Sequence, residues 1–306
     1  MPAFSSPRHV LMLVAAAACW GCGTVLSKLV LDRGVPPLTL LAIELTASCL
    51  LLLVAARLLS VSWSWSPTIA KLTLLGVLNP GLAYALGLWG LVTISASMSV
   101  LLWALEPVVI ILLAVFVLRE NISPATLVGL IAAIIGVLLV VYQPGAVGIA
   151  RGVALTLAAV AACALYTVLT RRLLLDDSSV IVVLYQQVAA LIFAVVIITV
   201  ATTTRVTDLG LPADARTWAL AAVSGMVYYG LAFWFFISGL RGVPASVAGL
   251  FLPLTPVFGL GAGYLIGDQL ISRQWLGASL VVLATAAAAI HHLRQCATTQ
   301  PEQSSS

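Results

Sequence analysis

The sequence predicts an all-α integral membrane protein: ten transmembrane helices in two five-helix halves of opposite topology. Three observations predict it. Of 306 residues, 62% are hydrophobic and 8% charged, against roughly 45–50% and 25% in an ordinary soluble domain, and mean hydropathy is +1.17. Charges, prolines and polar clusters cut the chain into ten apolar segments, most of them near the about 20 residues a bilayer requires. The second half of the chain also repeats the first.

The composition excludes a soluble enzyme, which could not hide so much apolar surface, and a disordered chain. The net charge of +4 is scattered between apolar runs, with no basic stripe for nucleic acid. Cys19, Cys22, Cys49, Cys163 and Cys296 are too few and dispersed for a disulfide framework. Cys19 and Cys22 fall within one helix, and His291-His292 has no further ligand set nearby, so no metal or other cofactor is expected.

The segments are 10–31, 37–59, 69–90, 96–118, 124–142, 152–173, 179–201, 216–238, 244–266 and 273–293. The first resembles a lipoprotein signal, because Ala16-Ala17-Ala18 precedes Cys19. The apolar run continues to Leu31, which suits an uncleaved span. Most loops are short. The longest, Thr202–Ala215, carries Arg205, Asp208 and Asp214 and is expected to lie over one mouth of the protein. Residues 294–306 are polar and expected to form a disordered cytoplasmic tail.

Lysine and arginine bias sets the orientation. With the N-terminus inside, the inner loops hold Arg8, Arg57, Lys71, Arg119, Arg171, Arg172, Arg241 and Arg294. The outer loops hold Lys28, Arg33, Arg151, Arg205, Arg216 and Arg273. Eight against six favours both termini in the cytoplasm of a bacterial inner membrane.

The repeat aligns Ser95-Ala96-Ser97 and Glu106-Pro107 with Pro244-Ala245-Ser246 and Thr255-Pro256. Gly81-Leu82-Ala83-Tyr84 matches Gly230-Leu231-Ala232-Phe233, and Cys19-Trp20 falls opposite Leu165-Tyr166. Residues 1–147 form one half and 148–293 the other. An odd number of spans per half gives opposite insertion, the inverted-repeat design of many secondary transporters, with the site at the midplane.

The same residues carry a family resemblance over 10–293. Each half resembles the EamA module of the drug/metabolite transporter superfamily. The first half has Ala17-Cys19-Trp20 with Lys28 closing span one, then Ser95-Ala96-Ser97, Leu105-Glu106-Pro107, and Leu118-Arg119-Glu120 nine residues before Gly129. The second has Pro244-Ala245-Ser246, Leu254-Thr255-Pro256, and Gly267-Asp268 nine residues before Gly277. The arrangement is similar to YddG-type amino-acid exporters. The resemblance implies ten helices around a central cavity and secondary transport of small metabolites, often outward. The sequence departs from the pattern at Asp268, where Glu is usual. It also departs at Glu44, where many relatives carry Arg.

Glu106 lies about ten residues into span four, roughly 15 Å deep. A carboxylate there is expensive and marks a functional site by default. It suits a coupling acid or an amine-binding anion. The structural alternative is a protonated acid bonded to carbonyls freed at Pro107, and Thr255 in the mirror position favours that alternative. Glu44 lies roughly 10 Å below the outer face. It either lines the cavity as a second coupling acid or merely pairs with Lys28. Its mirror is Gln186 or Gln187.

Trp20, Tyr84, Trp103, Tyr166 and Tyr228 fall near mid-span and are candidates for an amphipathic site, with helix packing as the alternative. Asn79-Pro80-Gly81 breaks span three at depth and borders either a cavity or a simple kink. Glycines 129, 136, 259, 263 and 267 read as close helix packing. Glu120 and Asp268 read as caps or interface pairs.

The sequence contains no Walker A loop, so ATP is not the direct energy source. The leading reading is a secondary transporter of amino acids or similar amphipathic metabolites. Its expected partners are a small-molecule substrate and the lipid bilayer, with no obligate protein partner. A flippase for a polyprenyl-linked sugar carrier is the alternative. It needs a basic patch, and arginine is missing at cavity depth. A membrane-embedded prenyltransferase needs more acids than Asp176-Asp177 supplies.

Overall fold

The computed structural model describes residues 7–63, 65–106, 108–110, 113, 124–141, 149–171, 173, 178–204, 209–240, 251–252 and 254–298. These residues form helices joined by turns and short loops, with no strand among them. In order they are α1 (Pro7–Leu31), α2 (Pro37–Leu58), α3 (Pro67–Gly76), a π-helical turn (Val77–Leu82) and α4 (Ala83–Leu91). Then come α5 (Ala96–Trp103), α6 (Pro124–Val141), α7 (Ile149–Arg171), α8 (Ser179–Thr203) and α9 (Ala215–Gly225). A second π-helical turn (Met226–Leu231), α10 (Ala232–Leu240), α11 (Leu254–Leu265) and α12 (Ser272–Thr298) complete the chain.

Among the described residues, six helical stretches are long and apolar enough to cross a membrane: Arg8–Leu31, Pro37–Leu58, Pro67–Leu91, Ile149–Thr167, Ser179–Thr203 and Ala215–Gly239. Ala96–Ile110 and Leu254–Leu265 are shorter apolar helices. The outer surface is apolar as well. Leu50, Val54 and Leu58 are exposed one turn apart on α2, and Ile192, Val195, Val196 and Val200 form an exposed stripe on α8. Water would penalise such faces and lipid does not. The protein is a multi-pass membrane protein.

Local chemistry sets the helix ends. Gly34, at φ +84°, makes the turn from α1 to α2, a conformation that favours glycine. Pro37 and Pro67 start α2 and α3, where a missing N–H costs nothing. Ser66 caps α3 through Ile69 N and Ser95 caps α5 through Met98 N, both at 3.1 Å. Asp268 does cap: its Oδ2 accepts from Ser97 N at 2.9 Å, across the sequence from the opposite half. Its mirror pair, Glu120 and Ser246, lies outside the described residues, as do Pro107, Asp176-Asp177 and the Pro244–Ser246 motif.

Asp214 caps α9, accepting from Thr217 N at 2.8 Å. That backbone N–H, with the Thr217 hydroxyl, holds the Asp214 carboxyl below its ordinary value. A carboxyl lowered on folding stabilises fully above its unfolded pKa of about 3.9 and loses this as pH falls through the lower folded value. Asp214→Ala is expected to speed amide exchange in the first turn of α9 at neutral pH. After correction for the intrinsic slowing of exchange in acid, acidification below the folded value should lower protection in the wild type to the level of the variant and add nothing in the variant.

The ends of the chain depart from expectation in one respect. Helix α12 runs to Thr298, so residues 294–298 are helical rather than part of a loose tail.

Packing pairs the two halves reciprocally. Helix α1 packs on α10 and α11, and α7, its repeat partner, packs on α4 and α5. Likewise α9 packs on α2, and α3 on α8. Helix α2 meets its own partner α8, and α6 meets α12. Close approaches need glycine at several crossings. A Cβ at Gly21 would lie 2.6 Å from Thr255 O and Gly259 N, and one at Gly136 would lie 2.8 Å from Gly277 O.

Candidate functional site

The helices that carry the halves' reciprocal contacts place a layer of aromatic rings at their crossing. Tyr84, in the first turn of α4, stands at its centre. Its ring centroid lies 4.7 Å from Tyr229, 5.0 Å from Tyr228, 5.6 Å from Trp103 and 6.1 Å from Phe233. Trp20 of α1 joins through Phe233 at 5.5 Å and Phe236 at 5.1 Å. Edge and tilted geometries dominate, as ring quadrupoles favour. Thr24, one turn beyond Trp20, bonds the Tyr228 hydroxyl at 3.2 Å. The rings fill the centre. Between Tyr84, Ser99, Trp103 and Tyr228 they leave a cavity of about 10 Å³, which holds one water at most.

Two acids lie near this layer. Glu44 of α2 is fully buried. Its Oε1 accepts from Ser27 Oγ at 2.7 Å and Ser224 Oγ at 2.6 Å, and the two hydroxyls are 3.0 Å apart. Ser27 belongs to the first half and Ser224 to the second, so the carboxyl ties one to the other. Tyr229 lies beside it.

The expected partnership of Glu44 with Lys28 does not form. Lys28 Nζ pairs with Asp32 at 2.9 Å, one turn along α1, and donates to Leu91 O at 3.2 Å. The reason is packing: α1 lies chiefly on α10 and α11 rather than on α2.

Glu106 is half-buried just beyond α5. Its Oε1 accepts from Thr167 Oγ1 at 3.3 Å and faces Cys163 Sγ at 3.4 Å, both on α7 in the other half. Asn79 Nδ2 donates to the same sulfur at 3.4 Å. Asn79 sits at the break in span three, where its φ/ψ of −148°/121° is extended. Electrostatically, Glu106 faces Tyr84 and Glu44 faces Tyr229.

The remaining polar candidates bridge helices. Tyr166 donates to Gln186 Oε1 at 3.0 Å, Gln187 Nε2 donates to Tyr229 O at 2.9 Å, and Ser48 bonds Gln187 Oε1. Thr255 stands apart. Its carbonyl packs against Gly21 of α1, beside Trp20.

Five buried polar atoms here fall outside strict hydrogen-bond geometry. The Tyr229 hydroxyl and Glu44 Oε2 lie against each other, Trp20 Nε1 lies against Tyr84, and Asn79 Oδ1 and Gln186 Nε2 are left over. Buried polar groups are nearly always satisfied, so these last two ask for a ligand or water. No group of three or more potential metal ligands occurs among the described residues.

The sequence reading missed Ser27, Ser224, Cys163 and Thr167. Each is a small residue in an apolar helix, where serine, threonine and cysteine pass as packing residues. The one available signal was that a buried carboxylate needs donors, and small hydroxyls on neighbouring helices are the nearest supply.

Known proteins bear on this arrangement in three ways. Residues 8–142 and 150–290 each match the EamA-like transporter family. Over 136 residues the chain is 31% identical to the uncharacterized transporter YwfM of Bacillus subtilis (strain 168), 44% of this chain and 46% of that protein. The chain thus spans about half the length of that relative in the match. A solved crystal structure superposes with a TM-score of 0.69 at 19% identity, covering 95% of this chain and 99% of that one. At that identity the likeness concerns the fold alone.

Proposed function

This chain belongs to the EamA-like transporter family, and we propose that it moves amino acids or similar small amphipathic metabolites across the membrane by alternating access, outward in the cell. Membership makes it a transporter rather than an enzyme. The reading takes the chain as ten spans in two inverted halves, 1–147 and 148–293, in a bacterial inner membrane with both termini cytoplasmic. The two family matches and the reciprocal packing of the halves support that frame.

One observation carries the substrate class. Aromatic rings gather where the halves cross, near two acids, and the neighbouring Asn79 Oδ1 and Gln186 Nε2 are buried without a hydrogen-bond partner. Rings take an apolar side chain, and the orphaned donors and acceptors take charged or polar ends. The closed centre is then a collapsed stage of the cycle, too small for a substrate, and the rings part to admit it. Trp20, Tyr84, Trp103, Tyr166, Tyr228, Asn79, Gln186 and Gln187 form the binding layer, with Thr255 at its margin. Glu106 and Glu44 are the coupling acids. Each mirror pair holds one acid, Glu44 against Gln186 and Glu106 against Thr255, so the first half carries both charges.

Uptake and efflux of a pooled amino-acid mixture in proteoliposomes, with and without a proton gradient, test this. Gradient-dependent movement of at least one amino acid is expected, falling at least about tenfold in Glu106→Gln, as for loss of a positioned acid. Absence of movement of every amino acid overturns the substrate class. Equal rates in the variant at all pH values remove Glu106 from coupling.

A further inference from the structure

An open groove of about 300 Å³ lies between the end of α1 and the start of α9. It is lined by Leu29, Arg33, Arg216, Ala219, Leu220 and Val223. The distribution of these six residues is polarised. Arg33 lies just past the end of α1, and Arg216 lies in the first turn of α9. Both arginines therefore sit at helix ends, where headgroups lie. Ala219, Leu220 and Val223 follow Arg216 at three, four and seven residues, which is one face of a helix. That stripe carries the apolar floor about 10 Å inward. Leu29, one turn before Arg33, forms the other wall.

We propose that this groove is a binding site for one anionic phospholipid, its phosphate held by Arg33 and Arg216 and an acyl chain lying on the apolar floor. Charge complementarity supports it. Asp32 is taken by Lys28 at 2.9 Å, and Asp214 is engaged by both Thr217 N and Thr217 Oγ1 at 2.8 Å. Asp32 and Asp214, the acids flanking Arg33 and Arg216 in sequence, therefore already have donors. Arg33 Nη1 donates to Thr217 Oγ1 at 3.3 Å, which fixes that guanidinium over the groove and leaves further N–H donors for an anion. Arginine pairs recognise phosphate in this forked manner. A lipid rather than a free anion is the occupant because most of the lining is apolar and lies at exposed or half-buried positions of helices long enough to cross a membrane. The two arginines also come from different halves of the chain, and Val223 adjoins Ser224, which bonds Glu44. A lipid seated here braces the halves in the arrangement seen.

Native mass spectrometry of the full-length protein, titrated with palmitoyl-oleoyl phosphatidylglycerol or phosphatidylcholine, tests the site. Preferential retention of one phosphatidylglycerol is expected, with the preference falling about fivefold for each arginine removed in Arg33→Gln and Arg216→Gln. Ala219→Trp keeps both arginines and fills the floor from an exposed helix position, and it should lose the lipid equally. Equal retention of the two lipids by the wild type overturns the proposal. So does unchanged preference in the double arginine variant or in Ala219→Trp. Displacement of the lipid by inorganic phosphate at equal concentration would reduce the groove to a simple anion site and overturn it as well.

Discussion

Alanine at Gly225 or Gly76 is expected to destabilise the protein by about 1–3 kcal/mol each, and the double variant is expected not to accumulate as folded protein. Both glycines are helical, so alanine would by itself favour the backbone by about 1 kcal/mol. Sterics decide the sign. A Cβ on Gly225 runs into the main chain of Glu44, and one on Gly76 runs into the main chain of Gln186, with the Gln186 carbonyl carbon at 2.6 Å. Main chain cannot swing aside as a side chain can, so the helices must separate. At Gly225 that separation also pulls Ser224 from Glu44. Gly261 of α11 is the control, since a Cβ there meets nothing within 4 Å. Thermal melting in detergent should show Gly261→Ala at or above the wild type and the other two several degrees below it. A Gly225→Ala protein as stable as the wild type would remove the close crossing from the account.

These same glycines settle a register that the sequence left open. Gly225 seats Glu44 and Gly76 seats Gln186, so Gln186 rather than Gln187 is the structural mirror of Glu44. The next contacts agree. Cβ atoms on Gly230 and Gly81 would meet Ser48 and Ala190, with Cα atoms 3.7 and 3.6 Å away. The offset is 149 between the glycines but 142 from Glu44 to Gln186. The linear alignment could not follow this, because the connections between spans differ in length from one half to the other.

What the sequence did disclose has a plain physical origin. Apolar runs and their breaks at Pro37, Ser66-Pro67 and Ser95 mark the helix starts, because a proline or a short hydroxyl satisfies a helix end by itself. The central aromatics were legible as mid-span residues that are poor interface anchors. Tertiary choices were not legible. Lys28 has Glu44 within reach in a simple hairpin, yet takes Asp32 because α1 leaves α2 for the second half. The donors to both acids were hidden for the same reason: each acid finds at least one of them across the halves.

That crossing makes Glu44 the side chain whose replacement should disturb transport most specifically. In the proposed cycle the halves separate on one side at a time, so bonds between them must break and re-form. Glu44→Ala leaves the Ser27 and Ser224 hydroxyls only each other and opens a void, and a loss of about 2–4 kcal/mol is expected. Glu44→Gln keeps an acceptor oxygen for both hydroxyls and nearly the same volume, so it should fold with a loss of about 1 kcal/mol or less. It removes the ability to gain and lose a proton while keeping the tie. Transport by Glu44→Gln should therefore fall and lose its pH dependence while the protein melts close to the wild type. A double-mutant cycle of Glu44→Gln with Ser224→Ala isolates the tie itself, and a coupling of about 0.5–3 kcal/mol is expected from melting. Full, pH-dependent transport by Glu44→Gln would show that the carboxyl is only a structural clasp. A coupling near zero would show that the short contact to Ser224 does not hold the halves together.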